Sequence, residues 1–256
     1  MIGELVMSSE VNNEMKGKVA IVTGSSSGIG QQIAQRLSNL GATVVVNSAT
    51  SVAEGQLVAK SLANESLYVQ ADISNKESGQ NLIDTTFKAF GQIDFLINNA
   101  GWTTLVAHHD LDALTDDIFA KTFDVNVFGT WWLTKAAMPH LKKSSDGNVV
   151  NITSIAGVRP VGSSIAYAMT KAALNHMTLL LAKSCGPVRI NAVAPGLVET
   201  PWTRDWQAQH DNVARVAPLK RSATPQDCAE ATISLLRNKY ATGQIFVVDG
   251  GLTLVI

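Results

Sequence analysis

Cysteine is scarce in this chain. Only Cys185 and Cys228 occur in 256 residues, and neither has a partner at ligand-like spacing, which argues against a disulfide framework or a thiolate metal site. An excess of one charge is also missing. The formal net charge of -1 leaves no electrostatic footprint for nucleic acid or an anionic membrane. No apolar run approaches the roughly 18 residues of a bilayer-spanning helix. Residues 1–15 carry Glu4, Glu10 and Glu14 and lack the basic start and apolar run of a secretory signal, so they read as a flexible tail. Internal repeats, low-complexity segments and inter-domain linkers are missing too. What remains is a composition of 46% hydrophobic and 16% charged residues, suited to one compact α/β domain over residues 16–256. A cytoplasmic location is the default expectation.

Short runs rich in Val, Ile and Leu alternate with helix-length segments. Strands are expected at 19–23, 43–46, 67–70, 95–97, 148–152, 189–193 and 245–248. Helices are expected at 29–40, 76–90, 115–141, 164–185 and 225–237. Gly41 and Gly91 serve as helix stops, and Pro225 opens the last helix after Thr224. Strands apolar on both faces belong in a sheet covered on both sides. The reading is a doubly wound, seven-stranded parallel sheet with helices on both faces.

Two patterns carry chemistry. Gly24-Ser25-Ser26-Ser27-Gly28-Ile29-Gly30 joins the first strand to the first helix, where a nucleotide-binding βα turn belongs. Gly24 permits the tight turn and Gly28 a close backbone approach to a pyrophosphate. Gly30 lets the helix pack closely, and the helix N-terminus favours negative charge. The second pattern is Tyr167 and Lys171, four residues apart in a helical stretch, so both side chains face one way. An unperturbed phenol titrates near pH ~10 and is a poor acid or base at neutrality; a neighbouring cation favours the phenolate. That pairing suits proton transfer at an alcohol or carbonyl oxygen. Alone, it is equally an aromatic ring packed over a lysine stem.

The glycine turn, followed by Asn98-Asn99-Ala100-Gly101, Asn126, Ser154, Tyr167 with Lys171, and Pro195-Gly196, resembles the short-chain dehydrogenase/reductase family over residues 16–253. The resemblance implies a single-domain Rossmann fold and four catalytic residues: Asn126, Ser154, Tyr167 and Lys171. Tyr167 would be the general acid for carbonyl reduction and the base for alcohol oxidation. Lys171 would lower the phenol's pKa and hold the nicotinamide ribose. Ser154 would hydrogen-bond the substrate oxygen, and Asn126 would hold a water linking Lys171 to solvent. The implied cofactor site comprises Gly24, Ser26, Ser27, Gly28, Ile29 and Gly30, then Asn47, Ser48, Ala49 and Thr50. Asp72, Ile73, Asn99, Ala100 and Gly101 follow, with Tyr167, Lys171, Pro195, Gly196, Val198 and Thr200. Asp72 would meet the adenine ring, or else cap a helix. Val198 and Thr200 would hold the carboxamide.

The second strand ends in Asn47-Ser48-Ala49-Thr50-Ser51 with no carboxylate for a ribose 2′-hydroxyl. This favours NADP(H), although no arginine stands at Ser27 or Ala49, and NAD(H) stays possible. Arg36 reads as a solvated helix residue. The variable segment 196–224 resembles a substrate lid and carries Trp202, Trp206, His210, Arg204 and Arg215. Its tryptophans, like Trp102, Trp131 and Trp132, fit either an apolar, ring-bearing substrate or a subunit contact. The adjacent His108 and His109 point apart and have no accompanying ligands, so no metal is expected. The resemblance implies an NAD(P)-dependent oxidoreductase, closest in appearance to bacterial 3-oxoacyl-carrier-protein reductases. Alternatives are an NAD-dependent alcohol or sugar/polyol dehydrogenase, and a catalytically silent nucleotide-sensing regulator, which would require loss of catalytic residues retained here. A small-molecule substrate and a homotetramer are expected, with a dimer second. The apolar residues 252–256 are expected to dock on a neighbour.

Overall fold

The computed structural model describes residues 13–256. Seven strands form one parallel sheet in the order β3-β2-β1-β4-β5-β6-β7. They are β1 (Val19–Val22), β2 (Thr43–Ser48), β3 (Ser66–Gln70), β4 (Phe95–Asn98), β5 (Asn148–Ile152), β6 (Arg189–Pro195) and β7 (Ile245–Val248). The helices are α1 (Gly28–Asn39), α2 (Val52–Ser61), α3 (Lys76–Phe90), α4 (Asp116–Phe123), α5 (Thr130–Leu141), α6 (Ile165–Ser184), α7 (Gln207–Val216) and α8 (Pro225–Arg237).

The apolar runs are explained by two cores, one on each side of the sheet. Ala20 and Val22 of β1, Val44 and Val46 of β2, and Phe95 and Ile97 of β4 pack with α1 and α8. The intervening Ile21, Val45 and Leu96 pack on the other face with Leu82 and Ile83 of α3 and Leu133 and Leu141 of α5. Strand side chains alternate between faces, so covering both demands apolar residues at every position.

The strands begin and end within two residues of their expected bounds. The helix expected over 115–141 is instead three pieces: α4, a π-turn (Asp124–Gly129) and α5. Gly129 closes the π-turn at a close approach to the β3–α3 loop, where a Cβ would lie 2.7 Å from the Ile73 carbonyl oxygen. Such π-turns concentrate at functional sites. Two helices were unexpected. Helix α2 carries Gly55 mid-helix against the Tyr68 ring, and α7 buries only Val213, so neither shows a broad apolar stripe. The expected tail falls mostly outside the described residues, but its last residues are held in place. Met15 is buried and donates its N–H to the Leu40 carbonyl at 2.7 Å, while Glu14 pairs with Arg237 at 2.7 Å. Among the described residues, no helix is long and apolar enough to cross a membrane.

Candidate active site

The C-terminal ends of the strands open into a cleft of about 1080 Å³, where ligands bind in open parallel sheets. Every residue of the implied cofactor site lines it except Gly30, and so do Ser154, Tyr167 and Lys171. Gly30 stands behind the turn: a Cβ there would lie 2.5 Å from both the Gly24 carbonyl oxygen and the Asn99 amide nitrogen. Its close packing is therefore against the turn itself. Gly24 and Gly28 adopt φ of +61° and +56°, a region costly for side-chain-bearing residues. Ser27, at the N-cap of α1, makes no side-chain capping bond, and no acidic residue sits in that helix's first turn. The first N–H groups of α1 thus lack a protein anion, and this cradle fits a dinucleotide pyrophosphate.

Two asparagines hold this cradle in shape. Asn99 donates its side-chain amide to the Thr23 and Gly24 carbonyls at 2.9 and 3.0 Å, and the Thr23 hydroxyl accepts the backbone N–H groups of Asn99 and Ala100 at 3.0 Å. Asn47 is buried. Its amide nitrogen donates to the Val69 and Ala71 carbonyls at 3.1 and 3.0 Å, and its side-chain oxygen accepts from Gly24 N–H at 3.4 Å. Its side chain is fully engaged within the protein, so the expected cofactor contact at this position is reduced to the backbone. Asp72 lines the cleft but accepts from the Ser74 N–H and hydroxyl at 2.9 and 2.7 Å. The cap of α3 is Asn75, which accepts from Ser78 N–H at 2.8 Å. Arg36 pairs with Glu230 of α8 at 2.6 Å, consistent with a helix-surface role.

The proton-transfer group is built on α6 and the end of β5. Ser164 caps α6 by accepting from Tyr167 N–H at 3.2 Å, which fixes the turn that carries the phenol. Burial pushes the Tyr167 phenol up to about 12, partly offset by the Ser154 hydroxyl beside it. Burial pushes the Lys171 ammonium down to about 8. Lys171 Nζ donates to the Ile152 carbonyl at 2.9 Å and lies 5.4 Å from the phenol ring centroid. Desolvation of the phenolate is the larger influence on Tyr167, and the Ser154 hydrogen bond works against it.

Asn126 does not line the cleft. It is buried in the π-turn, accepts from Trp102 N–H at 2.7 Å, and donates to the Trp102 carbonyl at 2.9 Å and the Thr170 hydroxyl at 3.0 Å. The Thr170 hydroxyl in turn donates to the Tyr167 carbonyl at 2.7 Å. Asn126 therefore ties the loop after β4, which carries Trp102 and forms the floor of the cleft, to α6. Its oxygen and Lys171 Nζ nonetheless flank Gly101, at 3.4 and 3.7 Å from that residue's Cβ position.

The segment 196–224, expected as a lid, rises from a parallel bridge between Val198 and Ala223. Thr203 fastens it, donating its hydroxyl to the Val198 carbonyl at 2.6 Å and accepting from Thr200 N–H at 3.2 Å. His210 of α7 spans the Ser222 hydroxyl at 2.7 Å and the Thr203 carbonyl at 3.2 Å. Trp102, Trp202 and Trp206 all line the cleft, whereas Trp131 and Trp132 do not. Leu105, Lys121, Gln209, Asn212 and Ile256 line it as well. They went unnoticed in the sequence because they come from irregular loops, the far side of α4, the lid and the chain end, which no motif marks. Among the described residues no group of three or more His, Cys, Asp or Glu is placed to hold a metal.

Comparison with known proteins agrees with this geometry. The family described as enoyl-(acyl carrier protein) reductase matches residues 24–253. A Streptomyces violaceoruber protein assigned as ketoacyl reductase 2 of the granaticin polyketide synthase is 49% identical over 241 residues, covering 93% of this chain and 96% of that one. The 3-oxoacyl-[acyl-carrier-protein] reductase of Synechocystis is 36% identical, covering 94% of this chain and 98% of its own. Glucose 1-dehydrogenase 2 of Bacillus subtilis is also 36% identical, covering 94% and 96%. A crystal structure of a protein described as a short-chain dehydrogenase/reductase, from Burkholderia xenovorans, superposes with a TM-score of 0.87 at 33% identity, covering 93% and 98%.

Proposed function

The chain belongs to the short-chain dehydrogenase/reductase family of NAD(P)(H)-dependent oxidoreductases acting between carbonyl and alcohol, and from that premise we propose that it is an NADPH-dependent ketone or 3-oxoacyl reductase. The observation that carries this reading is the convergence of the Tyr167 phenol, the Ser154 hydroxyl beside it and the Lys171 ammonium on the cleft that the glycine turn also lines.

Reduced nicotinamide, when bound, supplies a hydride to the carbonyl carbon and is oxidised. The oxygen of that carbonyl gains the proton of Tyr167, so a ketone becomes a secondary alcohol. Ser154 donates a hydrogen bond to the same oxygen and stabilises the charge that develops there. Lys171 keeps a cation at the site, favours the phenolate left after transfer, and would hold the ribose. Asn126 positions the floor loop against α6. The glycine cradle and the start of α1 would hold the pyrophosphate, Asp72 and Ile73 would border the adenine, and Val198 and Thr200 would hold the carboxamide.

NADPH is favoured because the turn at Ser48–Ser51 presents no carboxylate to repel a 2′-phosphate. The relatives described as ketoacyl and 3-oxoacyl reductases add to this preference. An NAD-dependent sugar or alcohol dehydrogenase is the second reading, favoured by the lack of an arginine at that turn and by the glucose dehydrogenase relative. Exposed Phe128, Trp131, Met169, Leu179 and Leu180 on the π-turn, α5 and α6, with Phe246 and Leu254, support a homotetramer, a dimer being second.

The test is Tyr167→Phe. Ketone turnover should fall by about a hundredfold or more while NADPH still binds; full turnover would refute the assignment. NADPH should bind about tenfold tighter than NADH, and the reverse order would select the second reading.

A further inference from the structure

The substrate half of the cleft, between Tyr167 and the lid, is walled by three of the chain's five tryptophans. Trp102 follows Gly101 on the floor loop, and Asn126 pins its backbone through both N–H and carbonyl. The Lys121 ammonium sits 4.5 Å from the centroid of its ring. Trp202 and Trp206 belong to the lid. Trp202 reaches across to the floor: its Cη2 lies 4.0 Å from the Cβ position of Gly101, yet the side chain stays 50% exposed. A large indole left half uncovered inside a cleft holds apolar area that a ligand can bury.

The polar groups around these rings are few. The Thr103 and Ser163 hydroxyls bond each other at 2.7 Å, and the Thr103 hydroxyl also contacts the Thr104 carbonyl at 3.2 Å, so part of their capacity is already used. Gln209 and Asn212 supply two amides. Lys171 aside, the charged residues of the whole cleft wall are Asp72, on the cofactor side, and Lys121 over Trp102. A polyol would find too few donors and acceptors to replace its hydration, at a cost for each group left unpaired. A flat ring would find indole surfaces reaching it from the floor and from the lid, with an attraction beyond simple burial.

We propose that the substrate is a neutral ketone borne on, or fused to, a flat aromatic or polycyclic ring system that seats against Trp102 and Trp202. This rests on the ketone-reductase reading above and narrows it. The redox step is unchanged: the ring ketone gains a hydride at carbon and the Tyr167 proton at oxygen.

The experiment compares 2-tetralone with the N-acetylcysteamine thioester of 3-oxobutanoate, using NADPH and protein of the full sequence. The bicyclic ketone should show a kcat/KM about tenfold or more above the thioester. Trp202→Leu, on a half-exposed residue, and Trp102→Leu should each lower the ring ketone's kcat/KM about tenfold, and by several-fold more than they lower the thioester's. 2-Naphthol, which cannot be reduced by this chemistry, should compete with the ketone, with an inhibition constant that rises in both variants. Preference for the thioester, or equal losses for both substrates in both variants, would overturn the ring-ketone assignment alone. No turnover of either substrate would remove the ketone-reductase reading and this assignment with it.

Discussion

Replacing Lys171 by methionine should leave an inactive protein that at neutral pH is as stable as the parent or more so. Burial lowers the Lys171 ammonium from 10.5 to about 8. At about 1.36 kcal/mol per pKa unit, keeping that charge inside the folded protein costs roughly 3 kcal/mol. Against this stands the hydrogen bond to the Ile152 carbonyl at 2.9 Å, worth about 1.5–3 kcal/mol when the donor is charged. Methionine fills similar space and removes both terms. The net expectation at neutral pH lies between about zero and 2 kcal/mol of stabilisation.

The pH dependence is the sharper signature. Lys171 binds its proton less tightly when folded, so between about 8 and 10.5 the unfolded chain holds more protons and the parent gains stability as pH rises. By pH 9.5 that gain amounts to about 2 kcal/mol, and the variant's advantage should shrink by the same amount. Urea unfolding of both proteins at about pH 7 and 9.5, at one protein concentration so that assembly is held constant, measures it. A stability difference that stays fixed between these pH values would refute the buried-cation argument.

Two further perturbations follow from contacts already described. His210→Ala removes the span between Ser222 and Thr203, so KM for the ketone and the Kd of NADPH should both rise several-fold, kcat should hold, and His210→Gln should partly restore both. Unchanged KM and Kd would show that the lid base holds itself. Asp227 accepts from both Arg221 guanidinium nitrogens and from Thr224 N–H, and the Arg221 contact is the main reason its carboxyl sits at about 2. Its folded pKa is depressed, so its contribution exists above the usual carboxylate range and is lost as pH falls from about 4 toward 2. Asp227→Ala should therefore cost about 1 kcal/mol near pH 7, with the gap to the parent narrowing at acid pH in thermal unfolding.

Regularity decided what could be read from the residues alone. Strands covered on both faces must be apolar throughout, so runs such as 148–152 and 245–248 announced themselves, and the glycine turn and the Tyr167–Lys171 spacing are local signals. The π-turn leaves no mark in the helical spacing of 115–141, and the approach of Gly129 to the Ile73 carbonyl joins segments distant in sequence. The same holds for Asn126, whose partners Trp102 and Thr170 lie on other elements, and for the half of the cleft built from the lid. Spacing likewise reveals the cation near Tyr167, but the burial that raises its phenol depends on everything packed around the ring.

Asn47 narrows the options of anyone wishing to exchange the nucleotide this protein uses. An aspartate installed there would set a carboxylate against the Val69 and Ala71 carbonyls, which now receive its amide hydrogens. Acceptors would face acceptors, and β3 would lose its tie to the glycine turn. Engineering, and divergence in nature, must therefore act within the short turn at Ser48–Ser51, where new charge can be added without unfastening the sheet beneath it.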